Sequence, residues 1–460
     1  MTIMKKILLL TLLICFIATF TACGKENVQT VGVPESVENS TVKQKTEPIV
    51  DKIKKPETLL AESKEEKKKE TIVEETPTVP KILSLIQTYS FRYEWQDSVL
   101  LLCSEHSNVT MWKAAEQYPE MNRVLSEIAG MLSRSVDDEA DNILSFIKEM
   151  GMLDGDIENF ETQVSTSDAQ VRRADSVVFS LLTDSYSDYA FIDDFRGLWG
   201  SNYDVQTGKE LILTDVILDM DPIPDIVLKE LNRHIWAGDL YSETVVAEYF
   251  KNTPMDGIRW SLDYNGVTFY FGADELSDMS SGGMSATVSF AEYPELFNEK
   301  YMNIPTAYMV RLPLDYSFFA DLDKDGTLEE LNCTGFYDET ESVYTDFGIY
   351  TDLDGYYHYE ELFAYDYQPY YIKTEDGNHY IYLFCEQSQE ENPHMMLVAY
   401  NVCGGTITRI GEMNISPSYI SSNTFVLPLD PNNMWLVNYE SSNQEAGYYM
   451  IGVDGLPMMK

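Results

Sequence analysis

The sequence predicts an α+β ectodomain of two small α+β units, followed by a β-rich, incomplete propeller-like or sandwich domain. Two observations predict the first part. Apolar residues recur at helical spacing in residues 121–132 and 227–235, and short alternating runs bounded by Gly, Asn and Asp surround them. A third predicts the second part: beyond Tyr301 the composition turns aromatic and strand-like, punctuated by Gly, Asn and Asp. These changes divide the chain into residues 1–22, 23–81, 82–192, 193–300 and 301–460.

The charge narrows the partners. Among 460 residues, 76 are acidic and 32 basic, a net charge of −44, while 44% are hydrophobic, enough for a core. A phosphate-binding surface needs clustered Lys and Arg, so nucleic acid is excluded as a partner. A polybasic face for anionic lipid is excluded for the same reason. Cations, cationic proteins and neutral glycans remain.

Lys5 and Lys6 precede fourteen uncharged apolar or small residues, 7–20. That run is short for a bilayer span and has the layout of a secretory signal. It ends in Phe20-Thr21-Ala22-Cys23-Gly24, which resembles the bacterial lipobox, with Phe20 where Leu is usual. The resemblance implies cleavage before Cys23, an acyl anchor on its thiol, and a place on the extracellular face of the cell membrane. Residues 24–81 hold 11 Lys and 12 acids without one aromatic, as expected of a solvated linker. As flexible coil it would reach roughly 40 Å. Beyond residue 81 the balance is 19 basic to 64 acidic, so the folded part carries the charge.

Residues 89–95 and 98–103 read as strands. Tyr118-Pro119-Glu120 opens a helix with Met121, Val124, Leu125, Ile128 and Leu132 on one face, and a second helix is expected over 136–150. Residues 174–182 read as a strand. The stretch 197–217 alternates like a hairpin turning at Thr207-Gly208, and an amphipathic helix follows over 223–236. Strands over 260–262 and 267–271 flank a turn at Asn265-Gly266, and a strand over 285–290 leads into Tyr293-Pro294-Glu295-Leu296. This order resembles a domain family of unknown chemistry, found in the extracellular part of the RsiV anti-sigma factor and the non-catalytic region of PdaC-type peptidoglycan deacetylases. The region before it resembles the companion N-terminal domain of those proteins, so the likeness spans roughly residues 85–300. For RsiV-like members the resemblance implies recognition of lysozyme.

The departures are as informative. A cleaved lipoprotein signal leaves no cytoplasmic sigma-binding segment. The deacetylase module is absent, and His106, His234, His358, His379 and His394 form no metal-binding pair. The sequence has no GxSxG, HExxH, GxxxxGK[ST] or GxGxxG motif. The acidic pairs Asp193-Asp194 and Glu329-Glu330 are candidates for glycoside hydrolysis, but chance pairs are expected among so many acids. Cys103, Cys333, Cys385 and Cys403 fit no zinc spacing; buried free thiols are the expected reading, with a disulfide the alternative.

The clearest chemical motif is Asp321-Leu-Asp323-Lys-Asp325-Gly326-Thr327-Leu-Glu329. Acids at positions 1, 3, 5 and 9, Gly at 6 and the Thr327 carbonyl can surround one Ca²⁺ with hard oxygens. Asn332 stands where an EF-hand has its bidentate Glu, so the motif resembles instead the Asp-rich inter-strand loops of integrin-like propeller repeats. The tyrosines Tyr350, Tyr356, Tyr357, Tyr359, Tyr365, Tyr367, Tyr370 and Tyr371 are either a sugar-stacking platform or strand packing. The expectation is a non-enzymatic surface lipoprotein that binds a lysozyme-like cationic protein, with the contact in 193–300, or cell-wall glycan. The alternatives are a glycan-active enzyme and a passive structural or adhesive protein.

Overall fold

The computed structural model describes residues 79–460 except 152–159, 190–191, 234–241, 273–274, 277–283, 315, 339, 354, 389–394 and 440–444. The expected signal, Cys23 and nearly all of the linker lie outside the described residues, as do His234 and His394. No helix among the described residues is long and apolar enough to cross a membrane.

Asp97 and Ser98 both take positive φ, the two-residue turn that matches strand twist, and join Leu85–Gln96 to Val99–Met111 as a hairpin. The next strand, Gln163–Ala174, lies parallel to Val99–Met111 and therefore needs a crossover. Helix Pro119–Glu149 provides it, with Pro119 in its first turn. Met121 and Leu125 pack with Leu85, Val109 and Val171, while Ala140, Ile143 and Ile147 pack around Leu102. The two helices expected here are one, because Ser133-Arg134-Ser135 contains no residue that breaks a helix.

Strands Val178–Tyr189 and Ile192–Asp204 complete this side of a seven-stranded sheet. The strand expected over 174–182 is instead the end of one strand, a turn and the start of another. Asp175 makes the turn: its Oδ1 accepts from the Val177 and Val178 amides at 2.7 and 3.0 Å. On the far edge, Thr424–Val426 pairs antiparallel with Leu85–Gln96, and Tyr419–Ser421 pairs with Thr424–Val426. One sheet thus takes strands from both ends of the described chain.

A three-stranded sheet, Trp260–Leu262, Gly266–Phe271 and Met284–Ser289, is covered by helices Ile223–Arg233 and Glu243–Asn252. The expected Thr207-Gly208 turn forms, with Gly208 at φ 64°, but its second arm does not become a strand. Leu213–Val216 is a helical turn that buries Leu213 and Val216. At Gly200 an added Cβ would sit 1.7 Å from the Trp260 carbonyl oxygen, so glycine lets the two sheets meet. Arg172 and Arg173 are buried at the same seam. Arg172 binds both oxygens of Asp263 (3.2 and 2.8 Å), and Arg173 binds Asp175 and the Tyr301 and Asn303 carbonyls.

Beyond residue 301, three antiparallel sheets stack. The middle one orders Thr408–Met413, Met395–Asn401, His379–Glu386, Tyr367–Lys373 and Tyr308–Arg311. Its side chains sort by strand alternation. Tyr371, Ile381, Leu383, Val398 and Tyr400 face a four-stranded sheet running from Ser317–Ala320 to Tyr356–Ala364. Tyr370, Ile372, Tyr382, Phe384 and Leu397 face another four-stranded sheet, which begins at Ile415–Pro417. Burial on both faces is why these strands read as continuous apolar runs. The described residues are mixed α+β, with five sheets.

Candidate metal centre

The Asp-rich segment connects Ser317–Ala320 to Glu329–Asp338, adjacent antiparallel strands, so its flanks are strands and not the helices of an EF-hand. The loop is wound on its own side chains. Asp323 Oδ1 accepts from the Asp325 amide (3.0 Å), Asp325 Oδ1 from the Thr327 amide (2.7 Å), and Asp321 Oδ2 from the Gly326 amide (3.2 Å). Lys324 and Gly326 take positive φ, 67° and 92°. No atom lies within 4 Å of where a Gly326 Cβ would be, so conformation, not space, calls for glycine there.

The winding gathers Asp321, Asp323 and Asp325, each offering an oxygen within 4.8 Å of the others'. Among the described residues no other His, Cys, Asp or Glu forms such a group of three. The Asp321 Oδ1 atom is buried and has no hydrogen-bond partner. An orphaned carboxylate oxygen beside two exposed carboxylates suits a hard cation that brings its own waters. Glu329 stands apart from the trio. It is 5% exposed, and its Oε2 accepts from the Leu322 amide at 2.6 Å. Burial first, and then the three aspartates, push its carboxyl up to about 7 against the pull of that amide. The Thr327 amide closes the loop on Asp325.

His106 and His379 are held by neighbours inside the fold. His106 Nε2 lies 3.1 Å from Ser104 Oγ, and His379 Nδ1 lies 2.7 Å from the Tyr371 hydroxyl. Burial, then Lys373 and Lys324, drive His379 down to about 4. Glu329 and Glu330 are successive strand residues and point to opposite sides: Glu329 under the loop, Glu330 toward Ser317. They do not flank a common substrate. The side chains of Asp193 and Asp194 lie outside the description. The four described cysteines form no disulfide among the described residues, and Cys333 and Cys385 are buried.

The tyrosines divide by depth. Tyr367, Tyr370 and Tyr371 are core, while Tyr357, Tyr359 and Tyr365 are exposed. Along Tyr356–Ala364, Leu362 and Ala364 face the middle sheet, and Tyr357, Tyr359, Glu361 and Phe363 face outward. Phe336 and Phe363 are 66% and 65% exposed. The Tyr357 and Tyr359 rings stack at 6.3 Å, and the Tyr357 hydroxyl lies 3.1 Å from Thr334 Oγ1. A Cβ on Gly348 would collide with that hydroxyl at 2.1 Å, so the glycine lets the ring lie across the sheet. Composition alone did not separate platform from packing.

No protein-family model matches the sequence, and no curated protein matches it. Among solved structures the chain is similar to a DUF3298 family member from Bacteroides fragilis, at 9% identity and TM-score 0.36, over 48% of this chain and 96% of that one. It is also similar to a DUF3298 family protein from Pseudomonas aeruginosa, at 13% identity and TM-score 0.29, over 50% of this chain and 98% of that one. Both neighbours therefore belong to a domain family of unknown function, and at these scores the likeness carries no statement about activity.

Proposed function

We propose that the chain is a lipid-anchored protein of the bacterial cell surface whose folded part binds a cationic, lysozyme-like protein and catalyses nothing. The observation that carries this reading is the outward face of the sheet around Tyr357, Tyr359, Phe336 and Phe363. Exposed aromatics at the centre of a patch are the residues that dominate protein interfaces. Between residues 317 and 364 the sequence has 13 acids and one basic residue, Lys324. That charge attracts a basic partner and repels anionic competitors. Residues 193–300 remain a second contact region through the exposed Ile212 and Leu218. Retention of the chain on immobilised lysozyme tests the reading. Tyr359→Ser with Phe363→Ser is expected to weaken retention at least tenfold, and sustained turnover of peptidoglycan by the purified chain would overturn it.

Anchoring rests on the lipobox-like Phe20–Gly24 stretch. Cys23→Ala is expected to release the protein from the membrane fraction or leave it as an unprocessed precursor. A mutant that stays membrane-bound and fully processed contradicts the anchor.

Asp321, Asp323 and Asp325 are the residues that would hold Ca²⁺, with Glu329 and the Thr327 carbonyl the further oxygens expected from the sequence. Outside cells, sites of this type bind at about 10⁻⁴–10⁻³ M. Tenfold excess of ion over Kd stabilises the folded state by about 1.4 kcal/mol. The melting temperature is expected to be higher in millimolar Ca²⁺ than in chelator, and Asp321→Ala with Asp325→Ala to remove the difference. Identical wild-type melts in both would reduce the loop to a turn. The three stacked sheets beyond residue 301 we read as blade-like units of an incomplete propeller.

A further inference from the structure

Where the seven-stranded sheet meets the stacked sheets, the structure has a half-open cavity of about 250 Å³, lined by Gln170, Asp184, Arg311, Tyr344, Asp366 and Tyr367 among others. Its walls are mostly polar side chains in a place where the chain could have packed apolar ones. Among the described lining residues Arg311 is the one cation, and its Nη1 is held by neighbours. Its Nη1 lies 3.0 Å from Asp168 Oδ2, while Asp168 Oδ1 also accepts from Gln87 Nε2 and Ser107 Oγ at 3.1 and 2.9 Å. Asp366 accepts from Gln368 Nε2 at 2.9 Å. Gln170 is only 5% exposed, lines the cavity, and its Oε1 has no hydrogen-bond partner. A buried carbonyl left without a donor is unfavourable, and a donor from a ligand or water would offset that cost.

An aromatic track begins at Arg311, one of the residues that line this cavity. The Tyr89 hydroxyl accepts from Arg311 Nη1 at 3.3 Å and donates to Asp168 Oδ1 at 3.4 Å. The Tyr89 ring stacks on Phe91 at 6.0 Å, and Phe91 on Tyr93 at 6.2 Å, with interplanar angles of 8° and 9°. Phe91 and Tyr93 are exposed, and Trp95, next on the same strand side, is 62% exposed. Aromatic rings offer flat apolar faces with a polar tip. Carboxylates, an amide carbonyl and a guanidinium offer acceptors and donors in fixed directions. A molecule that uses both has C–H faces and many hydroxyls.

We propose that this cavity takes the terminal ring of a neutral glycan, whose following rings lie along Tyr93 and Trp95. The site is separate from the outward face assigned to a cationic protein, and it stands whether or not that assignment does. Gln170 Oε1, Asp184 and Asp366 accept sugar hydroxyls, and Arg311 donates to a hydroxyl or ring oxygen.

Calorimetric titration of the full-length chain in detergent, with glucose, N-acetylglucosamine and their β-1,4-linked tetramers, tests the proposal. At least one sugar series is expected to bind saturably, the tetramer more tightly than the single sugar. Gln170→Leu, which removes the orphaned carbonyl, is expected to weaken both at least tenfold while the melting temperature holds or rises. Tyr93→Ser with Trp95→Ser, at exposed positions, is expected to weaken the tetramer alone, returning it to the affinity of the single sugar. Absence of heat with every sugar, binding undiminished in folded Gln170→Leu, or binding of cadaverine in preference to sugars would overturn it.

Discussion

Asp263→Ala is expected to cost about 3–5 kcal/mol of stability, the usual penalty for stranding one partner of a buried ion pair. Asp263 accepts four hydrogen bonds: two from Arg172, one from Ser261 Oγ at 2.7 Å and one from Thr268 Oγ1 at 2.8 Å. Arg172 comes from the seven-stranded sheet, Ser261 and Thr268 from the three-stranded sheet, and the guanidinium sits 5.3 Å from the Phe318 ring. Burial works against the charge on Arg172, but Asp263 outweighs it and holds the guanidinium above its ordinary range. Without Asp263 that charge faces Phe318 and two hydroxyls, which cannot neutralise it. The double substitution Arg172→Met with Asp263→Leu is expected to melt higher than Asp263→Ala, because it buries no charge. Denaturation midpoints of the three chains decide the matter. Equal midpoints for wild type and Asp263→Ala would mean that water already reaches the pair.

These arginines mark what the sequence hid. An Arg-Arg dipeptide in an acidic chain reads as surface, and its burial depends on Asp263, more than ninety positions away. Local signals were legible where geometry is local: the Pro119 helix start, the Thr207-Gly208 turn and the strands beyond 301. Helix Glu243–Asn252 was missed because Val245, Val246, Tyr249 and Phe250 also suit a strand, and tertiary packing against Phe269 and Phe271 decided otherwise. Joining the expected helices over 121–132 and 136–150 required noticing that nothing between them stops a helix.

The candidate sites divide the same way. The Asp-rich loop was visible because its acidic residues lie within nine positions. Its buried Asp321 oxygen was not, since burial comes from the sheet beneath. The cavity around Gln170 joins residues from positions 170 to 367, and no spacing rule finds it. Tyr359 and Tyr371 are alike in sequence, but Tyr359 is on the outward face of an outer sheet and Tyr371 is in the middle sheet, which is covered on both faces.

Binding of a basic wall-degrading protein is the larger functional effect expected. Opposite charge speeds encounter, but exposed charges are screened beyond about 8 Å at physiological salt. A partner held by charge alone therefore leaves as salt rises. The proposed interface would also bury Tyr357, Tyr359, Phe336 and Phe363, a contribution that survives screening. The deciding measurement is a calorimetric titration of lysozyme into the Pro77–Lys460 unit at low salt and at ~0.15 M. Saturable binding at both, weakened at least tenfold by Tyr359→Ser with Phe363→Ser, is the result expected. No heat at either salt, or binding that vanishes at ~0.15 M and is matched by an unrelated basic protein, would contradict it.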